Sequence, residues 1–467
     1  MKVSELYDLV SSHLVEAVGP EPDHLPLPPI RPDSRQVRPG EGFLALRGGR
    51  VHGAEFIADA LTRGARLILT DRISAADRDL ARKVGAQIWV LDDPLTAVQD
   101  AARTWRGRLG VTVVGITGSV GKTTTKEAVA AVLAERYRVL KSPGNLNTEV
   151  GLPLTLLSLG PEHQVAVLEM GMYQAGDIAF LCGIARPQLG VVTAVGPSHL
   201  ERLGSLEAIA NAKAELVEYL PESGVAVLNG DDPVVSAFDA RTRARVVKFG
   251  WVRPADVAAT DVRMGGLLGT DLRVRAGGEC RRLRLGLAGR PGLYAALAAV
   301  AVGRVFGLDW VEVERGLLKV SVDQRLAVLP GVGGRRVVDD SYNSSPASLA
   351  GALEFLGQLP GRKLAILGDM LELGPMEAEA HREAGRLAAR VLDVLIAVGP
   401  RAALMAEAAR EAGLGAVYQT SDPAEAAAVA RAQSGPGDWV LVKASRGLRL
   451  ERAVQLLVGG QGVWMWM

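Results

Sequence analysis

At 467 residues the chain is too long for one hydrophobic core, so roughly two to four domains are expected, and its formal charge of +1 gives no global field drawing it to nucleic acid or membrane. Hydrophobic residues make up 48%, yet no stretch reaches the roughly eighteen uncharged apolar residues of a membrane span, and the N-terminus Met-Lys-Val-Ser-Glu-Leu-Tyr-Asp lacks the apolar core of a signal peptide. Only Cys182 and Cys280 are present, which excludes a disulfide framework or a cysteine metal cluster, so a cytoplasmic protein with no membrane span and no nucleic-acid partner is expected. Lys is scarce: ten of the 53 basic residues, against 43 Arg, so a Lys inside a motif is informative.

Residues 1–108 read as a first unit. Pro is dense between Pro20 and Pro39, which marks loop and extended chain. Asp33-Ser34-Arg35 lies there; it either binds a phosphate or caps a turn. A strand at 42–46, a helix at 55–63, a strand at 67–70, a helix at 75–84 and a strand at 87–91 make a small α/β domain.

Residues 109–317 hold the densest motif, Gly115-Ile-Thr-Gly118-Ser119-Val120-Gly121-Lys122-Thr123-Thr124-Thr125-Lys126. The β-branched run at 111–114 predicts a buried strand before it, and 126–137 a helix after it. Strand, glycine loop and helix suit a polyphosphate. Glycines let backbone N–H groups approach the oxygens, the helix N-terminus adds positive potential, Lys122 adds a full charge, and Thr123 offers Mg²⁺ a hydroxyl. The strict phosphate-loop pattern has Gly where this chain has Ile116, so the loop is a variant with core Gly118-x-x-Gly121-Lys-Thr-Thr.

Apolar runs at 165–170, 189–195 and 225–229 alternate with helical stretches at 176–182 and 205–220. That rhythm predicts a parallel, doubly wound sheet with ligands at the carboxyl ends of its strands. Glu169 and His199 each follow such a run. Glu169 either holds Mg²⁺ or is an ordinary strand-end carboxylate. His199 is either a ligand-side group or a loop histidine. In the helix 205–220, Leu206, Ile209, Leu216, Val217 and Leu220 form one stripe, and Lys213 falls in its middle. A lysine there must snorkel, pair or be altered chemically; it suits either a phosphate contact or carbamylation by CO₂, which would turn it into a metal-binding anion. Short alternating strands at 256–287 and helices at 291–303 and 310–318 follow.

Residues 318–467 repeat the α/β rhythm: strands at 336–339, 363–367, 394–398 and 439–442, with helices at 346–359, 376–392, 402–412, 423–433 and 448–457. No glycine phosphate loop occurs here. Asp339-Asp340-Ser341-Tyr342-Asn343-Ser344-Ser345-Pro346 is a dense polar loop that also carries a helix cap. The tail Gly-Gly-Gln-Gly-Val-Trp-Met-Trp-Met is apolar and short, expected to dock on a surface or fray.

Taken together, Gly118-Ser-Val-Gly-Lys-Thr-Thr, Asn145-Leu-Asn-Thr148-Glu-Val-Gly-Leu-Pro153, Leu168-Glu-Met-Gly171, His199-Leu-Glu, Ala212-Lys213-x-Glu215 and Asp340-Ser-Tyr-Asn343 resemble the Mur ligases. The resemblance covers nearly the whole chain and includes Asp33-Ser-Arg35, Leu367-Gly-Asp-Met-x-Glu-Leu-Gly374 and Lys443-x-Ser-Arg446. It implies three α/β domains: an N-terminal UDP-substrate domain (1–108), a central ATP-binding domain with a phosphate-loop, doubly wound sheet (109–317) and a C-terminal Rossmann-like ligase domain (318–467). It further implies ATP-dependent joining of D-alanyl-D-alanine to UDP-N-acetylmuramoyl-tripeptide through an acyl phosphate, by a monomer using two Mg²⁺ ions.

The same resemblance implies the site residues. Gly118, Ser119, Val120, Gly121, Lys122, Thr123, Thr124, Arg325 and Asp340 bind ATP. Thr123, Glu169, His199 and carbamylated Lys213 hold Mg²⁺, with Lys122, Glu169, His199 and Lys213 catalytic. Ser34, Arg35, Asn145 and Thr148 meet the UDP substrate, and Asn343 the dipeptide. One departure stands out. The family's Gly-x-His-Asn-x-x-Asn-Ala, where Asn contacts adenine, is here Gly289-Arg-Pro-Gly292-Leu-Tyr-Ala295-Ala. Other readings are a different amide ligase, a phosphate-loop ATPase, or a nucleotide-sugar-binding protein without ligase activity.

Overall fold

The computed structural model describes residues 1–49, 51–265, 269–287, 289–320, 322 and 324–459. The tail at 460–467 lies outside the described residues. The chain divides into two compact units: Met1–Gly115, Tyr137–Met172 and Asp177–Gln188 form unit one, and Ile116–Arg136, Tyr173–Gly176 and Leu189–Met467 form unit two.

Unit one contains β1 (Leu14–Val18), β2 (Ile30–Arg31), β3 (Gly42–Ala45), β4 (Leu67–Thr70) and β5 (Gln87–Leu91) in one sheet of order β1-β5-β4-β3-β2. β2 to β5 pair in parallel and β1 closes the edge antiparallel. Alternate residues Phe43, Ala45, Ile68 and Ile88 point to one side, where they pack on Ile57, Leu61 and Ala81 from the helices. The unit also holds β6 (Thr112–Thr117, ending in unit two), β7 (Val139–Lys141) and β8 (Val165–Glu169), in the order β6-β8-β7.

Two helices of this unit are not among the elements expected from the sequence. Val3–Val10 buries Val3, Leu6 and Val10, and Pro94–Arg108 starts with Pro after an Asp93 cap.

Unit two contains β9 (Leu189–Val192), β10 (Val225–Asn229), β11 (Arg245–Gly250), β12 (Val257–Met264), β13 (Thr270–Ala276) and β14 (Glu279–Leu285), ordered β14-β13-β12-β11-β10-β9-β6. β9 to β12 are parallel, and β12-β13-β14 is an antiparallel extension. Parallel β strands with intervening helices match the expected α/β rhythm; the antiparallel part corresponds to the short alternating strands expected at 256–287.

A second sheet in unit two runs β15-β16-β20-β17-β18-β19, from β15 (Ala327–Pro330), β16 (Arg336–Asp339), β17 (Lys363–Gly368), β18 (Val394–Val398), β19 (Val417–Thr420) and β20 (Trp439–Lys443). β15 is the antiparallel edge and the others are parallel. Along β17, Leu364 and Ile366 join one core while Ala365 and Leu367 join the other. Both faces are therefore covered, the signature of a doubly wound sheet.

Two expectations need correction. The helix after the glycine loop spans Lys122–Leu133 rather than 126–137, because Gly121 in the left-handed conformation starts it immediately. Leu206 is 48% exposed and does not share the buried stripe around Lys213. It sits at the first turn, just past the Ser205 cap, where the helix face has not yet met the core. No described helix is long and apolar enough to cross a membrane.

One loop in unit two gives a stability prediction. Asp231 accepts hydrogen bonds from the backbone N–H of Trp251 (2.6 Å), Val252 (3.0 Å) and Arg253 (2.7 Å) and from the Tyr294 hydroxyl (2.8 Å). Burial works against its charge, but these donors outweigh it and lower the Asp231 pKa. Asp231→Ala should cost about 2–4 kcal/mol, read as a lowered urea midpoint with unchanged m. A depressed carboxylate stabilises above its unfolded pKa. The contribution is therefore complete above the ordinary value of 3.8 and fades as pH falls below it.

Candidate active site

In unit two, β6 ends at Thr117 and the chain turns through Gly118 into the helix Lys122–Leu133. Gly118 has φ +147°, and a Cβ there would lie 2.0 Å from Thr193 Oγ1. The Thr193 hydroxyl sits 2.6 Å from the Val120 carbonyl oxygen and 3.2 Å from that of Thr117. Ser119 N–H donates to Ala194 O at 2.8 Å. Its hydroxyl donates to Gly196 O at 3.0 Å and accepts Gly196 N–H at 2.9 Å. The loop is thus held in shape by the segment leaving β9.

Lys122 Nζ donates to the Gly118 carbonyl at 2.7 Å, which curls its charge over the loop. Helix N-termini carry a positive end that suits an anion, and residues 121–124 form such an end.

His199 lies six residues after Thr193 and has φ +65°, a conformation few non-glycine residues adopt. Its Nδ1 is 2.5 Å from Glu372 Oε2, and Glu372 itself has φ +64°. The Tyr173 ring meets the imidazole edge-on at 5.9 Å. Burial lowers the His199 pKa; Glu372 opposes that, while Lys122 and Lys213 add to it. If Nδ1 carries the proton to Glu372, Nε2 is left as the free lone pair.

Lys213 is 2% exposed, on the helix Leu206–Tyr219 between Ala212 and Ala214. No hydrogen bond or ion pair to its amine is found among the described residues. Burial, followed by the charge of Lys122, lowers its pKa well below the ordinary lysine value. An amine that loses its proton more readily is a better nucleophile toward CO₂.

The third cluster of unit two surrounds the loop after β16. Lys443 Nζ, fully buried at the end of β20, donates to Asp340 Oδ2 at 2.6 Å and to Asn343 O at 2.9 Å. Burial still lowers the Lys443 pKa, against the pull of Asp340. Asp339 is raised by burial although Ser341 donates to it. Arg325 and Arg446 both stack on the Tyr342 ring, at 4.2 and 4.8 Å from its centroid. Asn343 is exposed beside them.

The departure at 289–296 has a local cause. A Cβ on Gly292 would lie 2.7 Å from Leu287 Cβ and 3.0 Å from its carbonyl carbon. The backbone leaves no room for an Asn side chain there. Ala295 is buried, and Tyr294 points to Asp231.

In unit one, Glu169 ends β8 and is buried. Asn147 Nδ2 donates to its Oε1 at 2.8 Å, and its backbone N–H reaches Ser142 Oγ at 3.1 Å. Gly171 packs against the Asn147 side chain, where a Cβ would sit 3.1 Å away. Thr148 Oγ1 accepts weak bonds (3.4 Å) from Val150 and Gly151 N–H at a helix start, and Asn145 is exposed. Asp33 caps the turn Ser34–Gln36 and grips Arg35 with both carboxylate oxygens, at 2.9 and 2.7 Å. The Arg35 hydrogen bond is the main reason the Asp33 pKa is lowered. Ser34 is buried.

Unit two thus brings Lys122, His199 and Lys213 into mutual electrostatic reach, and Asp340, Asn343 and Arg325 around Tyr342. Unit one brings Glu169 to Asn147 and Ser142. Sequence reasoning assigned no role to Glu372, although its Leu-Gly-Asp-Met-x-Glu motif was a signal. Nor did it single out Asn147 or Arg446.

Comparison with known proteins points the same way along the whole chain. Residues 30–106 match the Mur ligase family catalytic domain, 116–303 the Mur ligase middle domain, and 324–446 the Mur ligase glutamate ligase domain. UDP-N-acetylmuramoyl-tripeptide–D-alanyl-D-alanine ligase of Bacillus subtilis is 34% identical over 92% of this chain and 93% of its own. The crystal structure of MurF ligase from Thermotoga maritima in complex with ADP is 32% identical, with TM-score 0.76, over 92% of this chain and 97% of that one. A MurF crystal structure from Acinetobacter baumannii is 27% identical, with TM-score 0.79, over 97% of both chains.

Proposed function

Because the chain belongs to the Mur ligase family, we propose that it is an ATP-dependent, ADP-forming ligase joining D-alanyl-D-alanine to UDP-N-acetylmuramoyl-tripeptide in peptidoglycan precursor synthesis. Similarity at 34% identity along nine-tenths of the chain to a ligase of that name carries the reading. Its three-domain α/β fold is that of MurF structures, one of which holds ADP, so ATP is the nucleotide. We assign 1–108 to the UDP substrate, 109–317 to ATP and 318–467 to the amine. The enzyme acts as a cytoplasmic monomer on small-molecule substrates.

The terminal carboxylate of the tripeptide attacks the γ-phosphorus of ATP and ADP leaves. The dipeptide amine then attacks the acyl carbon, and a tetrahedral intermediate expels inorganic phosphate as the amine loses its proton. All the reacting groups are anionic or developing charge, so the work is positional and electrostatic. Backbone N–H groups at 118–124 receive the phosphates, and Lys122 supplies a mobile positive charge over them. Arg325 and Asp340 meet ATP from the last domain. Ser34 and Arg35 take the UDP end, with Asp33 orienting the Arg35 fork. Asn145 and Thr148 meet the peptidyl part, and Asn343 the dipeptide.

Mg²⁺, when bound, supplies charge neutralisation for the phosphoryl oxygens. Thr123 would hold one ion, and His199 with Lys213 would serve another; Glu169 of unit one is a further carboxylate suited to Mg²⁺. Unmodified side chains fit poorly, because no cluster of three His, Cys, Asp or Glu occurs among the described residues. A carbamate on Lys213 would add the missing anionic oxygens. His199 contributes through Nε2 while Glu372 holds its ring.

Phosphate release is the direct test. It should require UDP-tripeptide and D-alanyl-D-alanine together, and mass spectrometry should find the pentapeptide product. Equal release with neither substrate would point to an ATPase switch instead.

A further inference from the structure

We propose that Arg446 is the binding group for the C-terminal carboxylate of the incoming dipeptide, an assignment that rests on the ligase reading above. Its guanidinium lies 4.8 Å from the Tyr342 ring centroid and the residue is exposed. A cation–π contact engages the charge of the guanidinium without consuming its N–H donors, which remain for a planar, two-oxygen acceptor. No carboxylate pairs with Arg446 among the described residues, whereas Arg136, Arg241, Arg386 and Arg401 of the same unit each have one.

The mount is rigid. Ser445, just before it, donates its N–H to Asp369 O at 3.0 Å, and its hydroxyl accepts Leu371 N–H at 2.9 Å. Lys443, three residues earlier, is already neutralised by Asp340 and so does not compete for the anion.

The chemistry of the substrate selects the ligand. D-alanyl-D-alanine carries one carboxylate, about 7 Å from its amine in an extended chain. Asn343, on the loop that carries Tyr342, is exposed next to this position. A second arginine, Arg325, stacks on the same ring, so the two guanidinium carbons are no farther apart than the sum of their ring distances. On this assignment Arg325 serves the nucleotide and Arg446 the dipeptide. A phosphate oxygen of ATP is the rival anion, and the test separates the two.

Steady-state ligation is measured with D-alanyl-D-alanine and with its C-terminal amide, for the wild type, Arg446→Ala and Arg446→Lys. The wild type should favour the acid by 10- to 100-fold in kcat/KM. Arg446→Ala should raise the dipeptide KM by a similar factor, leave the KM of ATP and UDP-tripeptide within twofold, and no longer distinguish acid from amide. Arg446→Lys should recover part of the preference, because it keeps the charge and loses the fork. An unchanged melting temperature would confirm that the exposed site tolerates the change. Equal use of acid and amide by the wild type, or a raised ATP KM in Arg446→Ala, overturns the assignment while ligation itself persists. No ligation by the wild type overturns the ligase reading, and this assignment with it.

Discussion

Lys213→Ala is expected to lower ligation by about 10²–10³-fold, the loss typical of one preorganised charge at a reacting centre. The wild-type residue is 2% exposed, and its amine feels the charge of Lys122. Protonated, it would be an uncompensated buried cation, a costly arrangement. Neutral, it is ready to take up CO₂, which exchanges a repelled cation for an anion attracted to Lys122. Alanine removes that anion and leaves Lys122 and His199 without it. Added bicarbonate should restore part of the rate in Lys213→Ala, while Lys213→Met controls for lost side-chain volume. The chemical step has its own readout: ¹³C-bicarbonate should give the wild type a carbamate carbon signal that the variant lacks. Full activity in Lys213→Ala, or no carbamate signal in the wild type, would remove the proposal.

Gly118→Ala is expected to weaken nucleotide binding by at least about 100-fold while the domains stay folded. Two costs coincide at this position. The backbone, at φ +147°, is one that side-chain-bearing residues rarely adopt, and the new Cβ would meet Thr193 Oγ1 at 2.0 Å and Ala194 N at 3.1 Å. Thr193 cannot simply swing away, because its hydroxyl holds the Val120 carbonyl. The loop must open, and the N–H groups of 118–124 then lose their common focus. Calorimetric titration with ADP measures the loss directly. The wild type should also gain about 2.7 kcal/mol of apparent stability at a hundredfold excess over Kd, and the variant almost none. ADP affinity within threefold of wild type would show that the loop does not carry the phosphates.

These two residues differ in how far the sequence exposed them. Gly118 and Lys122 act within a few residues of chain, between a β-branched strand and a helix. Their role follows from local geometry, and the motif reads directly. Lys213 was legible only as an anomaly, one cation in an apolar stripe. Leu206 shows the limit of that reading: it matches the stripe by angle yet is exposed, since helical periodicity fixes relative direction and not where a neighbour ends. The segment at 289–296 was legible as a departure, but its cause was not. Leu287 crowding the Gly292 Cβ position depends on how the chain leaves β14 to enter the helix Gly289–Val305.

The sequence by itself determined the three α/β segments, the phosphate loop and the family, because strand runs, glycine spacing and Lys-Thr order are short-range properties of a chain. Only the tertiary structure decided which groups meet. Glu372 reaches His199 across 173 positions, and Lys443 reaches Asp340 across 103. Strand order in the second sheet sets the latter meeting, since β20 lies beside β16 although three strands, β17 to β19, separate the two in sequence. Burial did the rest: it pushed the Lys213, His199 and Lys443 pKa values down, a consequence of desolvation that no residue carries in its own identity.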